Sequence, residues 1–251
     1  MKKIINILLL TLCVHPSWAQ FSANGSIEFT KVTSVKMNIQ VEMGEEIEKN
    51  EYMKDYVKQL PKTKSVFYKM SFNKKQSHYF FDKDGPEKVP LWGGKDPASE
   101  NIVVKNFSNN TITAQKEVYE SNYIIQDSLP KYKWKILDEM RPIAGYNCRK
   151  AITTMDDSVV VVAYYTEQIM VSSGPESFGG LPGMILGLAI PRLYTTWFAS
   201  KVNPGIEMGE NEIKKIKKGK ELSNEKLFKE LQPKLKEWGK YGAAILWKIR
   251  V

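Results

Sequence analysis

From Val35 to Glu42 apolar and polar residues alternate strictly, with Val35, Met37, Ile39 and Val41 set against Lys36, Asn38, Gln40 and Glu42. A period of two puts each set on its own face of an extended chain, so the pattern predicts a half-buried strand. The same rhythm returns at Val66, Tyr68, Met70 and Phe72. Further strands are predicted at 78–82, 102–107, 111–119, 132–138, 148–154, 159–166, 184–190 and 194–202, where β-branched and aromatic residues concentrate. Turn signals such as Asp84-Gly85-Pro86, Asn109-Asn110 and Asp156-Asp157 separate them at short intervals and favour antiparallel hairpins over crossover units.

Two segments break the alternation. Residues 44–60 carry spaced apolar residues among Glu and Lys and read as a short amphipathic helix ended by Pro61. Residues 223–238 place Leu227, Phe228, Leu231, Leu235 and Trp238 on one helical face, with Pro233 expected to kink or divide it. Residues 243–251 are apolar and read as a returning last strand. The expectation is a mainly β (α+β) protein, a strongly curved antiparallel sheet or half-barrel meander with one or two short packed helices.

The N-terminus changes what this domain is for. Lys2 and Lys3 precede an apolar run from Ile4 to Val14, and Ser17-Trp18-Ala19 supplies small residues for cleavage after Ala19, the grammar of a secretory signal peptide. The run is about half of the ~20 residues a membrane-spanning helix needs, and no later stretch is long enough. Leu12 argues against lipid attachment at Cys13, where a small residue is wanted. The organisation expected is therefore a leader at 1–19 and a single β-rich domain at 20–251, with a basic helical segment at about 210–240. It is placed in the periplasm, at the outer membrane or outside the cell.

Removing the leader also removes Cys13 and His15, leaving Cys148 and His78 as single examples. One cysteine forms no internal disulfide, and one histidine excludes paired-histidine zinc sites. A serine or cysteine nucleophile would have to use His78, and no Gly-x-Ser-x-Gly elbow is present. Gly93-Gly94-Lys95 lacks the spacing of a phosphate-binding loop. No catalytic residue, metal or cofactor is assigned, and nucleic acid is excluded as a partner. The formal charge is +9, of which two units leave with the leader. Much of the remainder lies in Lys214, Lys215, Lys217, Lys218 and Lys220, read as a hydrated run with anionic lipid or polysaccharide as the functional alternative.

The distinctive segment is Gly174-Pro175-Glu176-Ser177-Phe178-Gly179-Gly180-Leu181-Pro182-Gly183-Met184-Ile185-Leu186. Pro182-Gly183 suits the centre of a type II turn, since Pro presets a negative φ and Gly accepts a positive one. Such a rigid loop is either a fold corner or a binding rim. In the second case Phe178, Leu181 and Pro182, with Tyr164 and Tyr165, would contact a ligand or partner.

Gly179-Gly180-Leu181-Pro182-Gly183-Met184-Ile185-Leu186 resembles the motif of the GLPGLI family of exported Bacteroidota proteins, with Met184 where the name has Leu. Trp134-Lys135-Ile136, the run Ile143 to Ala151 with Gly145, Tyr146 and Cys148, the run Ala163 to Thr166, Ile169 and Gly174-Pro175 support it, although Tyr164 stands where the family usually has Trp. The resemblance implies export and a shared β-rich fold. It carries over no catalytic residue, because the family has no established activity. The order of strands and turns is also similar to part of the curved half-barrels of periplasmic lipoprotein carriers.

The functional expectation is a non-enzymatic binding or accessory protein of the cell envelope, taking a hydrophobic ligand, a peptide or an outer-membrane transporter as partner. An envelope hydrolase acting on peptide or glycan and a purely structural component are the alternatives.

Overall fold

The computed structural model describes residues 21–89, 96–156 and 158–251, so the segment 1–19 read as a leader, Gly93-Gly94-Lys95 and Asp157 lie outside the described residues. Strand accounts for 44% and helix for 23%, which makes the protein mainly β as expected. One curved, open sheet of twelve strands holds the described chain together, accompanied by four helices, more than the one or two expected.

The sheet is two antiparallel meanders joined at its middle. The first runs through β1 (Gly25–Ser34), β2 (Thr63–Phe72), β3 (Gln76–Asp84), β4 (Ile102–Asn106), β5 (Thr111–Val118) and β6 (Ser121–Ser128). The second runs through β7 (Lys135–Ile143), β8 (Tyr146–Met155), β9 (Val159–Thr166), β10 (Met184–Ile190) and β11 (Thr195–Pro204). β1 pairs with both β2 and β11, and β12 (Lys220–Leu222) adds parallel to β6 at one edge. The other edge is β7. Ala144 and Gly145 both have positive φ, at 49° and 85°, between the paired residues Ile143 and Tyr146, the two-residue hairpin geometry that matches strand twist.

The strict alternation at 35–42 is a helix, not a strand. α1 (Val35–Glu48) starts there, and its Val35 and Ile47 are buried while Met37 and Val41 stand 46% and 49% exposed. Val35, Ile39, Met43 and Ile47 are spaced by four, so every second member of the alternating set also fits one helical face. The expected helix at 44–60 is split between the end of α1 and α2 (Glu51–Gln59), whose Asn50 cap accepts from the Tyr52 and Met53 amides.

α3 (Asn224–Lys236) follows the Ser223 cap and runs through Pro233 undivided. The preceding 205–219 is not helical, which corrects the basic helical segment expected from 210. Residues 243–251 are not a strand. They belong to α4 (Gly239–Arg250), which buries Gly242, Ile245 and Ile249 at helical spacing. A β-carbon on Gly242 would fall 1.8 Å from the Leu235 carbonyl oxygen, so only glycine lets α4 fold back on α3.

Candidate functional site

Alternation along the strands gives the sheet an inner and an outer face. Phe29 and Lys31 of β1, Tyr68 and Met70 of β2, Ser77 and Tyr79 of β3, Val103 and Lys105 of β4, and Ala114 and Lys116 of β5 share the inner one, as their register pairs show. The Gly-Pro segment between β9 and β10 turns into this face and fills it as a plug. Ser173 Oγ lies 2.8 Å from Ser77 Oγ, and Lys105 Nζ donates to the carbonyls of Gly174 and Phe178 at 2.8 and 2.5 Å. Trp134 Nε1 donates to the Gly179 carbonyl at 2.9 Å, and the Phe178 ring stacks on Tyr132 with centroids 5.1 Å apart.

Phe178 and Leu181 are therefore core residues, 0% and 2% exposed, and not members of an exposed rim. Gly174 and Pro175 are buried with them, while Gly180 and Pro182 reach the surface. Tyr164 and Tyr165 are also buried, and as consecutive strand residues they point to opposite faces and form no common rim. Pro182-Gly183 makes a tighter turn than the type II expected: the Gly183 amide donates to the Leu181 carbonyl two residues back. Gly183 has φ 147°, and a β-carbon there would lie 2.1 Å from the Thr166 carbonyl oxygen.

Deep in the plug, Glu176 adopts a left-handed backbone at φ 52° and is 1% exposed. Its Oε2 accepts from Asn101 Nδ2 at 2.9 Å. Its Oε1, Asn101 Oδ1, Tyr79 Oη and Trp197 Nε1 are buried and close no hydrogen bond, although the Tyr79 hydroxyl faces both Trp197 and Glu176. Three lysines feel this one carboxylate. Burial lowers the pKa of Lys31, whose ammonium sits 5.0 Å over the Trp197 ring. Burial takes Lys105 down to about 7 and Lys116 down to about 8, with Glu176 opposing each shift. These are the functional candidates that sequence reading missed. The signal was there for Lys116, which interrupts an inward series of Ile112, Ala114 and Val118.

A pocket of about 410 Å³ opens beside the plug. Its floor is Val103, Ile112, Ala114 and Ile125, with Lys116 among them; Tyr132 and Ser177, joined at 3.0 Å, and Arg250, paired with Asp156, form its wall. Apolar floor and polar wall together suit a small amphipathic molecule.

The remaining candidates lie elsewhere. His78 alternates with Ser77 and Tyr79 and so occupies the outer face, away from Glu176, where burial lowers its pKa. Cys148 is buried with its thiol pushed up to about 12, an unreactive state. The basic run is part of a strap: Met208 N and Lys217 N donate to Ser71 and Gln115 on the outer face, and Lys214 reaches the end of β3, 4.7 Å over the Phe81 ring. Among the described residues no group of three His, Cys, Asp or Glu side chains is placed to hold a metal ion.

Residues 153–187, from the end of β8 through the plug into β10, match the model of a family described as a protein of unknown function (Porph_ging). No curated protein matches the sequence. Among solved structures, the chain is similar to PNGF-II in its P21 crystal form, with 16% identity and a TM-score of 0.50 over 87% of this chain and 34% of that one. The chain thus spans about a third of the length of PNGF-II. A second, C2 form of PNGF-II gives 15% identity and 0.49 over 90% and 33%. An uncharacterised conserved protein from Thermus thermophilus gives 7% identity and 0.39 over 81% and 92%. The likeness to the P21 form concerns the fold alone.

Proposed function

We propose that the chain is an exported cell-envelope protein of the GLPGLI kind, acting as a non-enzymatic binding or accessory protein whose ligand seat is the pocket above Lys116. The leader supports export. The family match over the plug fits a Bacteroidota-type protein and overlaps the motif on which the resemblance rests. The observation that carries the binding reading is the pocket itself: 410 Å³ lies within the size range of small-ligand sites, and its lining combines an apolar floor with a largely polar wall that includes Asp127, Lys131, Asp156, Arg250 and four hydroxyl side chains. With most of the inner face filled by the plug, the occupant is a compact amphipathic molecule or a peptide side chain rather than a long acyl chain.

The test is native mass spectrometry of protein made with its leader and purified from the periplasm, together with N-terminal sequencing. A mature chain starting at Gln20 and a co-purifying small molecule displaced by Ala114→Phe are expected. A retained leader sinks the export reading, and an empty protein that binds nothing from a metabolite extract sinks the binding reading.

A second reading, a structural envelope component, is favoured by the burial of Phe178 and Leu181, which leaves no apolar rim around the plug. The hydrolase reading draws no support from His78, since its ring and Glu176 are on opposite faces of the sheet.

A further inference from the structure

The pocket contains an unusual amine. Lys116 is only 4% exposed, yet it lines the cavity. Its Nζ makes one hydrogen bond, 2.5 Å to the Ile249 carbonyl, and has no ion pair with a described carboxylate. It shares the cavity lining with Val103, Ile112, Ala114 and Ile125 of the sheet and with the charged Asp127, Lys131, Asp156 and Arg250. An ammonium in such a place is poorly solvated, and burial lowers its proton affinity against the opposing pull of Glu176, with Lys31 adding a smaller push downward, so that a fraction is free amine near neutral pH. Lysines become nucleophilic in this way, by desolvation. The other two inner-face lysines are differently engaged. Lys105 spends its donors on two plug carbonyls and Lys31 lies over Trp197, and neither lines the pocket.

We propose that Lys116 is a carbonyl-reactive amine and that the pocket takes an aldehyde or ketone carried on a compact apolar body, held as a reversible imine. The proposal deepens the binding reading and rests on the same pocket. The Nζ lone pair adds to the carbonyl carbon while the C=O π pair moves to oxygen, giving a carbinolamine. Both hydrogens of the neutral amine then leave with that oxygen as water, and a C=N bond remains. Hydrolysis reverses the step, so no oxidant or reductant is required. The paired hydroxyls of Tyr132 and Ser177 line the same pocket and can pass a proton to the departing oxygen.

The test treats the full chain with equimolar benzaldehyde and cyanoborohydride, which reduces any imine to a stable amine, followed by peptide mass mapping. Adduct on Lys116 at least tenfold above any exposed lysine, with yield rising through about pH 8, is expected. Lys116→Arg should lose that adduct. Label on exposed lysines such as Lys131, Lys215 and Lys218 with Lys116 unmodified overturns the proposal, and this site distribution is read in the unsubstituted protein whether or not the variant folds. Benzyl alcohol, the same body without the carbonyl, separates the two readings by ligand-observed NMR. If it is seated while Lys116 stays unlabelled, the amine chemistry is wrong and the pocket stands; if neither probe binds, both are wrong.

Discussion

Lys105 and Lys220 are the same side chain in opposite surroundings. Lys220, on the outside, donates to Glu230 at 2.6 Å and its pKa is raised by that hydrogen bond. Lys105, on the inner face, has plug carbonyls as partners and is lowered to about 7 by burial. An exposed lysine exchanges one well-solvated state for another, whereas a buried one gives up its hydration and must be repaid by fixed dipoles. The inner face is therefore where substitutions and pH should act.

The largest effect is expected from the apolar anchor of the plug. Phe178→Ala removes a fully buried ring stacked on Tyr132 and should cost about 3–5 kcal/mol, read as a shift of the urea midpoint. A change as small as that of a surface substitution would mean that the plug is not part of the folded core.

The next effect is one of pH. Lys105 and Lys116 release their protons near pH 7 and 8 when folded and near 10.5 when unfolded. Between these limits the unfolded chain binds more protons, so stability rises with pH, and from pH 7 to 9 the gain from the two lysines together should be roughly 3–4 kcal/mol. Above pH 10 the buried Tyr68 and Tyr79, whose pKa values are raised, reverse the slope, because only the unfolded chain ionises them there. Denaturation series at pH 7, 8, 9 and 10 test this. Lys105→Met should flatten the rise, and an unchanged slope would show that its ammonium is solvated.

Trp134→Phe keeps most of the ring contact and deletes the hydrogen bond to the Gly179 carbonyl, so a loss of about 1 kcal/mol is expected by thermal melting. Lys220→Ala should leave the urea midpoint unchanged, since the Lys220–Glu230 pair is exposed and screened. A clear loss there would erase the contrast between the two faces.

Most strands were legible because sheet burial imposes a period of two, and Met184–Ile190 was bounded to the residue. β6 was missed although Tyr123, Ile124 and Ile125 are buried in it, because three consecutive apolar residues show no alternation. Val35–Glu42 misled for the opposite reason: alternation every two residues contains spacing every four, and only packing of Val35 and Ile47 decides which face is buried. In the candidate site, the plug was visible as a cluster of turn residues. Its direction was not, because turn chemistry sets local backbone angles and says nothing about which side of the sheet the loop covers.

The sequence by itself determined the mainly β character, the position of the capped α3, the poverty of histidine and cysteine and the density of turn residues from Gly174 to Gly183. Those follow from local periodicity, composition and backbone sterics. Only the tertiary structure decided that Phe178 and Leu181 face inward, that Glu176 meets Asn101 across 75 positions, and that Lys31, Lys105 and Lys116 share one face. The physical reason is that burial and electrostatic partners come from strand register and the closing of the plug, contacts between segments far apart in the chain.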